Sequence, residues 1–189
     1  MGHFYTNFWV RETDKRKIAE FLRTQNRRAF VGPLGPGTTI VYDEESEGQY
    51  HDVITDLASR LSSHFQCAVV AFLNHDDDIL HYWLLESGVL QDTYDSWPGC
   101  FDKNGSRTPI GGDSETLCKS FDLPALSPNV QKILHHKHPH EFVFEFQRHS
   151  ALAKSLHMSE DFAILGYVDF KTERLSEESE KIRQEFIKI

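Results

Sequence analysis

From Cys67 to Ser96 the chain runs in three apolar stretches, broken at His75-Asp76-Asp77-Asp78 and at Ser87-Gly88. Each stretch has strand length and is rich in β-branched and aromatic residues. Each break carries turn formers, so the pattern predicts an antiparallel meander. Ala68 to Leu73 is apolar at every position, which makes it a central strand covered on both faces. Two-residue turns at Asp76-Asp77 and Ser87-Gly88 set the register by counting. In that register Phe72 faces His81 and Val70 faces Trp83, while His81 and Trp83 face Tyr94 and Asp92. The other side aligns Leu73, Ala71 and Val69 with Leu80, Tyr82 and Leu84.

Upstream, Phe4 to Val10 alternates as a first strand. Thr13 or Asp14 caps a helix from Lys15 to about Gln25, with Ile18, Phe21 and Leu22 inward. Arg28 to Val31 and Thr38 to Asp43 read as strands around a Gly32–Gly37 loop. Tyr50 to Phe65 carries Val53, Ile54, Leu57, Ala58, Leu61 and Phe65 at helical spacing. The order β-α-β-β-α-β-β-β describes an α+β protein with a mixed, largely antiparallel sheet and two helices on one face.

Downstream, residues 97–112 are a loop by composition, with Pro98, Gly99, Asn104, Gly105, Pro109, Gly111 and Gly112. Asp113 caps a helix containing Leu117, Cys118 and Phe121, and Ser127-Pro128 starts another with Val130, Ile133 and Leu134 inward. Residues from Phe144 to His157 are mostly helix. Phe162 to Phe170 alternates as a strand, and Ser176 to Ile187 reads as a charged terminal helix. The expectation is one domain over 1–189, its mainly helical half (113–189, with one strand near 162–170) covering the open sheet face.

A hydrophobic content of 39% excludes a disordered chain. No apolar run has the length of a membrane span. A formal charge of −9 disfavours nucleic acid and anionic membranes and suits a basic partner protein. Cys67, Cys100 and Cys118 are unclustered, which points to reduced thiols and a cytoplasmic setting.

Candidate chemistry is sparse. Asp76 and Asp78 could serve a hard divalent cation, yet a strand resumes at Ile79 and aspartate tolerates the positive φ of a tight turn, so the turn reading prevails. Five histidines fall between His135 and His149. Of these His136 and His140 are the metal candidates, but the second ligand of a His-Glu-x-x-His pattern is missing. Gly111-Gly112-Asp113 leads into a helix with no following lysine, and Asp113 opposes an anion there. No cofactor is implied. Cys100 is the loop cysteine that could act as a nucleophile if a base lies near it in space. The expected register gathers His81, Trp83, Asp92 and Tyr94 on one face, either as polar-aromatic cross-strand pairs or as a pocket beneath the 97–112 loop.

Two functions follow. The first is a non-enzymatic module that binds another protein, as antitoxin and immunity proteins do. The alternative is an enzyme or small-ligand-binding domain, with or without metal, using His81, Asp92, Tyr94 and Cys100 near residues 97–112.

Overall fold

The structure, a computed structural model, describes residues 2–101, 108–135, 142–172 and 175–189. Its strands are β1 (Tyr5–Arg11), β2 (Ala29–Gly35), β3 (Thr38–Asp43), β4 (Ala68–His75), β5 (Ile79–Glu86), β6 (Val89–Asp95), β7 (Ile110–Gly111) and β8 (Ile187–Lys188). They form one antiparallel sheet in the order β7-β6-β5-β4-β1-β3-β2-β8. The apolar β4 sits inside the sheet, between β1 and β5, and all of its residues but His75 are buried.

Helices α1 (Lys15–Thr24) and α2 (His51–Phe65) cover one face. Asp14 caps α1 by accepting from the Arg16 N–H at 2.7 Å. Ile18, Leu22, Ile54, Leu57 and Leu61 pack there on Phe8, Val10, Val69 and Ala71. Over the other face lie α3 (Ser114–Ser120), α4 (Ser127–Leu134), α5 (Glu145–Ser155), α6 (Glu160–Ala163), α7 (Tyr167–Thr172) and α8 (Glu177–Arg183). Leu117, Val130, Leu134, Leu152 and Phe162 meet Trp9, Phe72, Tyr82 and Tyr94 in a second core. Each fully buried large apolar side chain contributes about 1.5–3 kcal/mol, so both layers are needed. This is the expected α+β arrangement.

The register differs from expectation at two places. His75 pairs with Ile79, so the first turn holds three residues rather than two. Asp76 and Asp77 take φ of 51° and 61°, and the Asp78 N–H donates to the His75 carbonyl at 3.0 Å. The extra residue slides the pairing by one, so Phe72 faces Tyr82, and Ala71 faces Trp83. Ser87-Gly88 is a two-residue turn, as expected. Beyond it, however, Leu85 pairs with Leu90 and Leu84 with Asp92, which leaves Gln91 as a bulge. Tyr94 then pairs with Tyr82, and Asp95 with His81.

Three other elements are corrected. Strand β2 runs on through Gly35 instead of ending at Val31. Pro33 is tolerated because β8 pairs with β2 only at Phe30 and Val31, so no neighbour needs a proline N–H. The expected strand near 162–170 is instead α6 and α7, with Tyr167 and Phe170 inward and Val168 exposed. The linker between them is tied by Asn7, whose Nδ2 donates to the carbonyls of Ala163 (2.8 Å) and Leu165 (2.9 Å). The terminal helix stops at Arg183, because the last residues pair with β2. Ala29 and Ile189 exchange N–H···O bonds of 3.2 and 2.9 Å.

Candidate functional site

The shifted register separates the four residues expected to converge. His81 and Trp83 lie on the α2 side of the sheet, where His81 Nε2 lies 3.2 Å from Asp95 Oδ2. The His51 ring stands 5.4 Å from His81 and 5.0 Å from Trp83. Burial pushes the His81 imidazole down; Asp95 pulls it back up, and His51 adds to the depression. Asp92 and Tyr94 lie on the opposite side. Asp92 Oδ2 accepts from the Tyr82 hydroxyl at 2.5 Å and from the Asp113 N–H at 2.8 Å. Tyr94 donates to the Leu134 carbonyl at 2.7 Å, and burial pushes its phenol up. So the pairs expected between Trp83 and Asp92, and between Tyr94 and His81, are replaced by Tyr82–Asp92 and His81–Asp95.

Cys100 is half-buried in the loop after β6, where its N–H donates to the Trp97 carbonyl at 3.1 Å. Burial raises the thiols of Cys67 and Cys118. His136 and His140 lie outside the described residues. Asp76 and Asp78 belong to the turn, and no cluster of three or more metal-ligating side chains occurs among the described residues.

A groove of about 530 Å³ opens at the end of the sheet where β4 and β6 begin, lined by Arg11, Cys67, Glu86, Gln91 and Lys119 among others. Arg11 on its floor already serves the fold. Its guanidinium donates to the carbonyls of Ser120, Pro36 and Gly37, to Thr38 Oγ1 and to Asp122, and also pairs with Glu12. That leaves no N–H for a ligand.

The opposite end of the sheet is different. There β1 begins, β4 ends and α5 begins, and side chains from four separate segments meet. The Phe4 ring stands edge-on to His75 at 4.8 Å, and His75 edge-on to Phe101 at 5.8 Å. Alongside, His3 meets Phe146 at 5.2 Å, and Phe146 stacks with Phe144 at 5.9 Å. Phe4, Phe101 and Phe144 are 45%, 84% and 48% exposed. Exposed aromatic rings gathered at one end of a sheet are uncommon on protein surfaces.

The turn holds this end in place. Gly2 N–H donates to Asp76 Oδ1 at 2.8 Å. The buried Asp77 carboxylate accepts from the His3 N–H (3.0 Å), His3 Nδ1 (3.0 Å) and Asn74 Nδ2 (3.0 Å). Asp76 and Asp78 remain exposed beside the rings. Segments 2–5, 47–52, 74–79, 98–101 and 142–147 contain no lysine or arginine. Among the described residues the charged groups at this end are Asp76, Asp77 and Asp78 of the turn and the Glu145–Arg148 pair of α5. The sequence signal for this end of the sheet was slight: the Phe142/Phe144/Phe146 alternation reads as a question of helix or strand, and the other rings are scattered along the chain. Comparison with family models, curated proteins and solved structures finds no match to this chain.

Proposed function

We propose that this chain is a non-enzymatic interaction module that docks a basic protein, in the manner of antitoxin and immunity proteins, through the aromatic end of its sheet. One observation carries the reading: two groups of rings at this end of the sheet, Phe4–His75–Phe101 and His3–Phe146–Phe144, of which Phe4, Phe101 and Phe144 are exposed. Each aromatic ring withdrawn from water contributes about 1.5–3 kcal/mol, enough for a few rings to anchor a complex. A lysine or arginine over such a ring adds about 0.5–2 kcal/mol. The charge of −9 steers a basic partner toward the chain and turns acidic ones away.

The test uses the protein as bait, beside a Phe4→Ala/Phe101→Ala variant checked for an unchanged fold by circular dichroism. A basic partner retained by the parent, released by salt and lost by the variant supports the reading. Equal retention by both proteins, or an acidic partner, overturns it.

A further inference from the structure

We infer that His51 and His81 form a two-histidine site for a divalent transition ion of the zinc class, with Asp95 as the residue that orients His81. The inference is independent of the docking reading. Its basis is a single cluster of four side chains, His51, His81, Trp83 and Asp95, on the α2 face of the sheet.

Three elements build the cluster. His81 and Trp83 are two apart on β5 and so share a face. His51 is the first residue of α2, which covers that face. Its ring stands 5.4 Å from His81 and 5.0 Å from Trp83, and the His81 and Trp83 rings stack at 5.7 Å. Asp95 pairs with His81 across the sheet, and its Oδ1 is fixed by the Trp97 N–H at 2.8 Å. The other oxygen, Oδ2, lies 3.2 Å from His81 Nε2. A carboxylate offers no hydrogen, so the proton of the neutral ring belongs on Nε2 and the lone pair on Nδ1. Neither that Nδ1 nor either ring nitrogen of His51 has a hydrogen-bond partner among the described residues.

Two imidazoles that share one tetrahedral ion at about 2.0–2.1 Å have ring centres roughly 5 Å apart. The observed 5.4 Å, with the planes inclined at 49°, is close to that geometry. His51 is exposed and can turn its ring, while Trp83 and Asp95 hold His81. Burial favours the neutral His81 ring, the form that ligates. Asp95 stands at the opposite ring nitrogen, so it orients and does not ligate. The protein thus supplies two ligands and water the rest, in keeping with the absence of a three-ligand cluster among the described residues. Imidazole suits zinc and its neighbours, whereas calcium and magnesium prefer oxygen. A shared ion would tie the start of α2 to β5.

Untagged protein, dialysed against EDTA and then into metal-free buffer, is titrated at pH 7.5 with cobalt(II) under NMR and with zinc(II) in a calorimeter. Cobalt(II) is paramagnetic and broadens the signals close to it. The Trp83 indole signal should therefore fade ahead of that of Trp9, which lies in the core on the other face. His51→Ala, at an exposed position, should keep the fold and weaken both responses tenfold or more. Asp95→Ala keeps both ligands and should weaken zinc binding about tenfold. Ring correlations of the metal-free parent should place the His81 hydrogen on Nε2. Calcium, which an aspartate site would prefer, should leave the Trp83 signal unchanged. The site falls if Trp83 persists while other histidine signals broaden, if His51→Ala responds like the parent, or if calcium acts as cobalt does. A hydrogen on His81 Nδ1, or zinc binding by Asp95→Ala equal to the parent's, overturns the role of Asp95.

Discussion

The hydroxyl of Tyr5 and Nδ1 of His149 are hydrogen-bonded at 3.0 Å, and both side chains are fully buried. The imidazole packs against the rings of Trp9 (5.3 Å) and Phe72 (4.2 Å), which joins α5 to the two central strands. Burial pushes the His149 imidazole down to about 3, so it folds neutral.

Acid therefore acts against the fold through His149. Its folded value lies below the ordinary histidine value of about 6.5, so the unfolded chain binds the extra proton. Stability should fall by roughly 1.4 kcal/mol for each unit between about pH 6.5 and pH 3 on account of this group. Urea midpoints measured across that range check it. Tyr5→Phe/His149→Phe removes the titration and the orphaned hydroxyl together, and should remove this part of the slope. Parallel profiles for variant and parent would show that another group is responsible.

Glu47 works in the opposite sense. Burial raises its carboxyl to about 7, against the backbone N–H of Tyr167, which it accepts; Asp169 and Asp43 add to the rise. A carboxyl raised in the folded state gives stability that is complete below about pH 4.5 and lost as pH climbs through 7. Glu47→Gln keeps the acceptor and removes the charge. It should stabilise the protein at pH 8 by about 1–3 kcal/mol and leave it unchanged at pH 4. Between about pH 4.5 and 6.5 the His149 and Glu47 contributions oppose each other.

Much of the frame could be read from residue pattern alone, and the reason is burial. Ala68 to Leu73 is apolar at every position because helices cover both of its faces, and the stripe of Ile54, Leu57 and Leu61 faces that same core. Register is another matter, since one residue reverses every side chain. Asp78 in the first turn and Gln91 in the bulge are ordinary in composition, yet the first slides β4 by one residue along β5 and the second parts His81 from Asp92 and Tyr94. The run from Phe162 to Phe170 alternates like a strand, but β8 holds the edge of β2, and Tyr167 and Phe170 serve as a helical pair. The aromatic face draws on residues 3–4, 75, 101 and 144–146, which only tertiary structure brings together.

Gly32 and Phe186 make a packing prediction. A Cβ at position 32 would meet the Phe186 ring carbons at 2.3–2.4 Å. That ring also packs on Phe170 (4.5 Å) and Phe162 (5.1 Å) just ahead of β8. Gly32→Ala should cost about 1–3 kcal/mol by overpacking and loosen the pairing of β8. In a double-mutant cycle with Phe186→Ala the two losses should be less than additive, because removing the ring removes the clash. Additive losses would place the effect of Gly32 elsewhere.

Asp77 ties the start of the chain to the end of β4. It has φ of 61°, is 6% exposed, and gathers donors from His3 and Asn74 onto one carboxylate. Asn shares the tolerance of Asp for positive φ, so Asp77→Asn isolates the loss of charge from any change in the turn. The variant turns an amide N–H₂ toward groups that need an acceptor, and should lose about 1–3 kcal/mol. Amide exchange at residues 3 and 4 should quicken more than at Val70 or Phe72, because the first residues are held by this carboxylate whereas β4 is held by the core. EDTA applied to the parent distinguishes the turn role from an ion-binding one. An unchanged midpoint fits hydrogen bonding within the turn, whereas a midpoint that falls on chelation and returns with added divalent metal would assign these aspartates to an ion.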